Sequence, residues 1–172
     1  ENLTFEFIHT KYPGHLKEAG YNAIAVSALV DCELRNIKIR NADSGIIFNN
    51  CGFITLRDVD IQGRYMHHPI CLSNCSHCLI PDFVIGAPHI HGTTISWGSH
   101  FNVFHRGAGN ELAMDAHRAC SFRNLHQDIL IEHGEFPKQP LRSGGAYARG
   151  LHAARENVYW NIEHHFQNEG EP

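Results

Sequence analysis

Histidine, carboxylate and arginine side chains concentrate in the middle of this sequence, between residues 89 and 118. The chain of 172 residues contains 15 histidines, which is an unusual number for this length. Histidine has an ordinary pKa near neutrality, so its ring can accept or donate a proton under mild conditions. The candidates for chemistry in this stretch are His89, His91, Glu111, Asp115, His117 and Arg118.

These residue types suit acid–base chemistry on an anionic ligand. A histidine can act as general base, an aspartate can orient its ring, and an arginine can neutralise a substrate carboxylate. We assign catalysis to His91, Asp115, His117 and Arg118. We assign ligand binding to His68, His89, Glu111, Arg149 and His152. The same donors could hold a divalent cation such as calcium, so the cofactor stays open. A solvated polar surface without function is the alternative.

A repeat of about 22 residues determines which of these side chains lie next to one another. Its anchor is an Asn or Asp followed by an apolar residue, and it occurs at Asn36, Asp58, Asp82, Asn102, Asn124 and Asn157. Apolar residues alternate around the first three anchors and in a second segment ahead of each, which predicts two short strands per repeat. No repeat contains an apolar period of helical length.

A unit of two short strands cannot bury its own apolar face, so it must stack on its neighbours. The sequence therefore predicts an all-β fold, a right-handed parallel β-helix of about six to seven coils. It forms one domain over residues 1–172, with a loop insertion at 135–145. Stacking places equivalent side chains about 4.8 Å apart. We therefore expect His91 and Asp115 to be neighbours on an outward face, although a register error of one residue would invert the facing.

Composition restricts the possible partners. The net charge of −4 argues against nucleic acid, and no apolar stretch is long enough for a membrane span. The six cysteines recur with the repeat, which favours buried free thiols over disulfides. The chain begins at Glu1, and residues 2–8 already resemble a strand, which predicts a piece of a longer protein.

Three segments resemble coils of the pectate-lyase-like superfamily of right-handed parallel β-helix proteins, at residues 30–42, 50–63 and 74–80. Segments 97–104, 114–118 and 159–162 resemble a bacterial subgroup of it. The resemblance implies an extracellular or periplasmic protein acting on an anionic polysaccharide, as a lyase, hydrolase, epimerase or tailspike. The sequence lacks the arginine and calcium-binding Asp set of the lyases and the Asp and Gly-His-Gly pattern of the hydrolases. No residue role is carried over.

Three functions stay open at this stage. A lyase would use His91 or His117 to remove the proton next to a uronate carboxylate, with Arg118 stabilising the charge and Asp115 orienting the histidine. A non-catalytic module would bind glycan, or serve as a structural spacer, within a larger adhesin, tailspike or enzyme. An assembly role would cover the exposed coil ends by homo-oligomerisation.

Overall fold

The computed structural model describes residues 1–134, 139–144, 152 and 155–166, which form two parallel sheets. Sheet A contains β1 (Leu3–Glu6), β3 (Val30–Arg40), β5 (Gly52–Gln62), β7 (Leu79–Ile85), β9 (Val103–Asn110), β11 (Leu125–His133) and β13 (Val158–Phe166). Sheet B contains β2 (Asn22–Ser27), β4 (Ser44–Asn49), β6 (His68–Ser73), β8 (Thr93–Ser96), β10 (Met114–His117) and β12 (Leu141–Gly144).

From β2 onward, successive strands alternate between the two sheets, and each strand pairs in parallel with the equivalent strands of the neighbouring coils. The chain therefore winds as a parallel β-helix of about five turns, which confirms the predicted fold with fewer coils than expected. No α-helix occurs among the described residues. Leu141–Gly144 forms a strand at the edge of sheet B, although it falls within the segment predicted as a loop insertion at 135–145.

The interior is a stack of large apolar side chains from both sheets, including Ile46, Phe48, Leu56, Ile61, Ile70, Leu72 and Phe83. Complete burial of each such side chain contributes roughly 1.5–3 kcal/mol to folding. A large side chain in one coil packs against a small residue in a neighbouring coil. A Cβ on Gly107 would lie 2.0 Å from the ring of Phe83, so this glycine leaves the space that the phenylalanine fills.

Each long strand of sheet A bends at a residue with left-handed backbone. The bend column has φ between 50° and 57° and consists of Asn36, Asp58, Asp82, Arg106, Asp128 and Asn161. Asn and Asp tolerate this conformation better than most side chains. In β3, Arg35 and Asn36 both face solvent, whereas Ile37 is buried. The alternation of inward and outward side chains is therefore reset at each bend.

The predicted repeat merges this bend column with a second column of asparagines. Nδ2 of Asn102 donates to Oδ1 of Asn124 at 2.9 Å, and Nδ2 of Asn124 donates to Oδ1 of Asn157 at 3.0 Å. This ladder lies at another point of the coil, four residues before the bend at Arg106. Both columns place an Asn or Asp before an apolar residue, so the sequence pattern cannot separate them.

One error in side-chain facing has a separate cause: Ile70 lies 12 residues before the bend at Asp82, whereas its partner Thr93 lies 13 residues before the bend at Arg106. The repeat predicts Ile90 and Gly92 inside and Thr93 outside. In the structure Thr93 pairs with Ile70 and is fully buried, so the inward positions of β8 are Thr93 and Ile95.

All six cysteines are free, as predicted. Cys51, Cys71, Cys75 and Cys78 are buried, whereas Cys32 and Cys120 are half-buried. Among the described residues, no helix has the length and apolar character needed to cross a membrane.

Candidate functional site

The outward face of sheet B changes from apolar to charged along the axis of the solenoid. One column of equivalent outward positions reads Ala25, Ile47, Cys71, Thr94, Asp115 and Arg142. Two adjoining cavities lie on this face, one of about 220 Å³ and one of about 290 Å³, and His117 lines both. We call these two cavities the sheet B groove. Charged side chains therefore collect in the later coils, beside the groove.

His91 and Asp115 meet as predicted, although they come from successive coils. The Nδ1–H of His91 donates to Oδ2 of Asp115, which fixes the tautomer because an ionised carboxylate only accepts. The two side chains are 7% and 2% exposed. Nδ1 of His117 lies 3.6 Å from the same carboxylate oxygen. One buried carboxylate therefore lies between two imidazoles.

Three further histidines extend this pair into a cluster. The ring of His68 stacks on His91 at 4.6 Å between centroids, and its Nδ1 lies 3.1 Å from the hydroxyl of Thr94. The ring of His67 lies 5.2 Å from that of His91, and the ring of His15 lies 4.7 Å from that of His67. We call His15, His67, His68, His91 and His117 the histidine cluster.

Burial keeps several of these imidazoles neutral. Desolvation lowers the pKa of His67 to about 4, because the attraction of Glu18 offsets only part of the burial effect. Desolvation likewise lowers the pKa of His117 to about 4 against the attraction of Asp115, and that of His68 to about 2. At neutral pH these rings carry an unprotonated nitrogen that can accept a proton or bind a metal.

Each cavity of the groove is lined by one arginine. Arg118 lines the larger cavity, and its buried Nε has no hydrogen-bond partner. Arg142 lines the smaller cavity, and its Nη1 donates to the carbonyl of Ile90. Sequence reasoning missed Arg142 because its strand was assigned to a loop. Its position one coil beyond Asp115 is the signal that a correct register would have provided.

The segment between β1 and β2 brings His15 and Glu18 to the cluster. Nδ1 of His67 lies 3.2 Å from Oε1 of Glu18. A buried aspartate holds the end of this segment, because Oδ2 of Asp43 accepts from the backbone N–H groups of Gly20 and Tyr21 at 2.9 and 2.8 Å. This segment has no apolar periodicity, so neither residue was among the predicted site residues.

Asp43 also forms a buried ion pair. Nη2 of Arg64 donates to Oδ1 of Asp43 at 2.5 Å, and Nε of Arg64 donates to the carbonyl of Asn41 at 2.9 Å. Burial alone would raise the pKa of Asp43, but Arg64 and the N–H groups of Tyr21 and Gly20 hold it below its ordinary value. The segment carrying His15 is therefore attached to the solenoid by a charged group without solvent exposure.

Two predicted residues do not join the cluster. Nδ1 of His89 lies 2.9 Å from the carbonyl of Ala87, and its Nε2 accepts from the N–H of Ala113 at 3.5 Å, so both ring nitrogens contact backbone. Glu111 instead accepts from the backbone N–H of Gly134 at 2.6 Å. The register shift after Asp82 explains why both were predicted to face outward beside His91.

The last two predicted ligand-binding residues come from the end of the chain. Arg149 lies outside the described residues. His152 is half-buried, its Nδ1 has no hydrogen-bond partner, and its charge contributes to the lowered pKa of His117. It therefore lies near enough to His117 to influence its charge.

A glycine allows the coils to approach closely beside the central pair. A Cβ on Gly92 would lie 2.1 Å from the carbonyl oxygen of Ala113, a contact that a side chain cannot make. Gly92 follows His91 directly, and Ala113 lies two residues before Asp115. The close approach of the two backbones therefore supports the contact between the two side chains.

Two overlapping triplets in the cluster could hold a metal ion. His15, His67 and His91 form one, and His91, Asp115 and His117 form the other, with donor atoms within 4.8 Å of one another in each. Calcium takes six to eight oxygen ligands, whereas the two triplets together offer a single carboxylate. Imidazole-rich sets suit zinc and neighbouring transition metals. The donors present therefore do not fit calcium.

Comparison with known proteins does not extend these observations. The chain matches no protein-family model, and neither a curated protein nor a solved structure is significantly similar to it.

Proposed function

We propose that this is a carbohydrate-active β-helix protein whose sheet B groove binds an anionic polysaccharide and removes a proton next to a uronate carboxylate. The observation that carries the proposal is a buried carboxylate between two imidazoles, in a groove with an arginine in each cavity. The pectate-lyase-like assignment and an extracellular or periplasmic location belong to the same proposal, because they rest on the sequence resemblance.

His117 is the candidate base. Its side chain lines both cavities, so a polymer lying along the groove would pass it. The lowered pKa of His117 keeps the ring unprotonated at neutral pH, and the nearby Asp115 raises its affinity for a proton. A negatively charged substrate would raise that affinity further. Asp115 also orients the ring of His91 through its hydrogen bond.

Arg118 is the candidate partner of the substrate carboxylate. Its unpartnered Nε is buried beside the larger cavity, where a carboxylate could accept from it. When the proton next to the carboxylate moves to His117, negative charge develops on the carboxylate oxygens and Arg118 would stabilise it. The electron pair then forms a C4–C5 double bond, the C4–oxygen bond breaks, and the leaving oxygen takes a proton from water. Arg142 would bind a neighbouring carboxylate of the polymer.

A non-catalytic glycan-binding module is the second candidate, and Trp97 favours it. This residue lines the larger cavity and is 46% exposed. Its ring offers an apolar face on which a sugar could stack. The same groove could therefore bind a glycan without cleaving it.

The test incubates the protein with polygalacturonate, alginate and related polyuronates and follows the ultraviolet absorbance of the new double bond. We expect turnover of at least one polymer, and a rate reduced about 10²–10⁴-fold in His117→Ala. The matched control is His105→Ala, a histidine on sheet A whose ring contacts Asp128 outside the groove, and it should keep the wild-type rate.

Two outcomes would contradict the proposal. An unchanged rate in His117→Ala would remove this residue as the base. Absence of turnover on every polymer would contradict the lyase, and retention of the same polymers in affinity electrophoresis would then support the binding module.

A further inference from the structure

Two histidines of the cluster carry a carboxylate on the same ring nitrogen. Nδ1 of His91 donates to Asp115, and Nδ1 of His67 lies 3.2 Å from Glu18. Both contacts leave Nε2 of the ring available. Histidines that bind metal ions usually present one nitrogen to the ion and the other to a carboxylate or carbonyl, which fixes the ring. Each of these two rings has the second contact already in place.

A third imidazole lies close to these two rings and comes from another part of the chain. The donor atoms of His15, His67 and His91 lie within 4.8 Å of one another. Zinc binds imidazole nitrogen at about 2.0–2.1 Å, so three nitrogens on one tetrahedral ion are separated by about 3.3 Å. His15 is exposed and lies outside the sheets, so it can make the small movement needed to close the site.

We propose that His15, His67 and His91 form a binding site for a divalent transition-metal ion, with zinc as the best fit. Three imidazole ligands leave a fourth tetrahedral position for water or an oxygen of a ligand. Glu18 and Asp115 act as the carboxylates that orient two of the three rings. The site goes beyond the proposed function, because the ion would bind whether or not the groove cleaves a polymer.

The overlapping triplet of His91, Asp115 and His117 fits an ion less well. Oδ2 of Asp115 already accepts from Nδ1 of His91 and lies 3.6 Å from Nδ1 of His117. An ion in that triplet would have to replace the buried hydrogen bond. The His15 triplet instead uses this bond as a support.

The attachment of the segment between β1 and β2 supports the same choice. Asp43 accepts from the N–H groups of Gly20 and Tyr21, while Arg64 neutralises it. Burying a carboxylate carries a large desolvation penalty, which a loop without a function would not require. It holds the segment that supplies one ligand and one orienting carboxylate.

The test titrates zinc chloride alone into the chelator-treated full chain and follows binding by calorimetry. We expect one ion per chain, and a blue cobalt(II) derivative with the visible absorbance of a tetrahedral site. His15→Ala and His67→Ala should each weaken zinc binding by 100-fold or more. Glu18→Gln should weaken it by about 10–100-fold, as expected for a carboxylate that orients a ligand.

Controls separate this site from adventitious binding to a histidine-rich surface. His77→Ala and His105→Ala change histidines outside the cluster, and both should bind zinc as the wild type does. Circular dichroism checks that each variant folds, and His15 is exposed enough that its loss should leave the fold intact. Zinc should raise the unfolding temperature of the wild type but not that of His15→Ala.

Either of two results would overturn the proposal. One is the absence of stoichiometric zinc binding to the wild type. The other is binding that survives His15→Ala and His67→Ala but is lost in His117→Ala, which would place the ion in the other triplet.

Discussion

The two sheets each hold a histidine and an aspartate in contact across neighbouring coils. At sheet B, His91, two residues before β8, and Asp115 of β10 are 7% and 2% exposed and border the groove. On sheet A, His105 and Asp128 are 27% and 33% exposed, with 2.9 Å between Nε2 and Oδ2. The pairs have the same chemistry and nearly the same separation in sequence, and they differ in what surrounds them.

The surroundings of the sheet A pair satisfy it without a ligand. Nδ2 of Asn161 donates to Asp128 at 2.7 Å, and this bond, followed by that of His105, holds the pKa of the carboxyl below its ordinary value. The sheet B pair instead lies beside the segment between β1 and β2 and among other imidazoles. Coil geometry therefore brings a histidine next to an aspartate at both sheets. A candidate site needs desolvation and a cavity as well.

The largest effect should come from removing the attachment of the segment between β1 and β2. Asp43→Ala leaves the guanidinium of Arg64 buried without its partner, so we expect the free energy of unfolding to fall by about 3–5 kcal/mol. The matched control is Glu33→Ala, which breaks an exposed pair with Arg57 on sheet A and should leave the denaturation midpoint unchanged. Chemical denaturation measures both, and equal effects would contradict the comparison.

The next effect concerns the two pairs themselves. His91→Ala leaves the carboxylate of Asp115 buried without its hydrogen bond, so it should lower the free energy of unfolding by about 2–3 kcal/mol. His105→Ala leaves Asp128 open to water and should change the midpoint by no more than experimental error. Both are measured by denaturation with a chelator present. A loss for His105→Ala as large as that for His91→Ala would show that burial does not distinguish the pairs.

The smallest effect is the pH dependence of stability that arises from His126, a buried histidine that contacts no carboxylate. The ring of His126 is buried between the rings of Phe104 and Tyr159, at centroid distances of 4.6 and 5.3 Å. Burial lowers the pKa of His126 to about 3. Its neutral form is favoured by folding, so its contribution to stability is complete above the unfolded pKa of about 6.5 and is lost as the pH falls below it. This contribution amounts to roughly 2 kcal/mol between pH 7 and pH 5.

The variant that tests this is His126→Phe, which keeps a ring in the stack. Burial raises the pKa of Tyr159, so its phenol stays neutral over this range and does not contribute. We expect the variant to lose less stability than the wild type between pH 7 and pH 5, although the hydroxyl of Thr93 loses its contact with the imidazole. Equal losses in denaturation curves at the two pH values would show that His126 is not the titrating group.

The fold and the central pair could be predicted from sequence because stacking repeats a pattern. Alternating apolar residues in the early coils identified the inward positions, and the spacing placed His91 beside Asp115. The bend residues of the later coils include Arg106, which breaks the Asn or Asp pattern. The prediction therefore followed the asparagine ladder instead, and it assigned His89 and Glu111 to sheet B although they lie before β8 and β10.

Other parts of the site could not be predicted because they do not repeat. His15 and Glu18 come from a segment without periodicity, and its position depends on the buried charge of Asp43. Arg142 belongs to a strand of four residues after a long interval, too short to show alternation. Tertiary contacts alone determine where these side chains lie.

The bend in each long strand of sheet A has a consequence for how such a chain can change over evolution. Two consecutive side chains face solvent there. Insertion or deletion of one residue before the bend therefore need not exchange the inward and outward side chains after it. Coils of unequal length can then stack without rebuilding the hydrophobic interior. Sheet B can therefore change by insertion and substitution while sheet A keeps its packing.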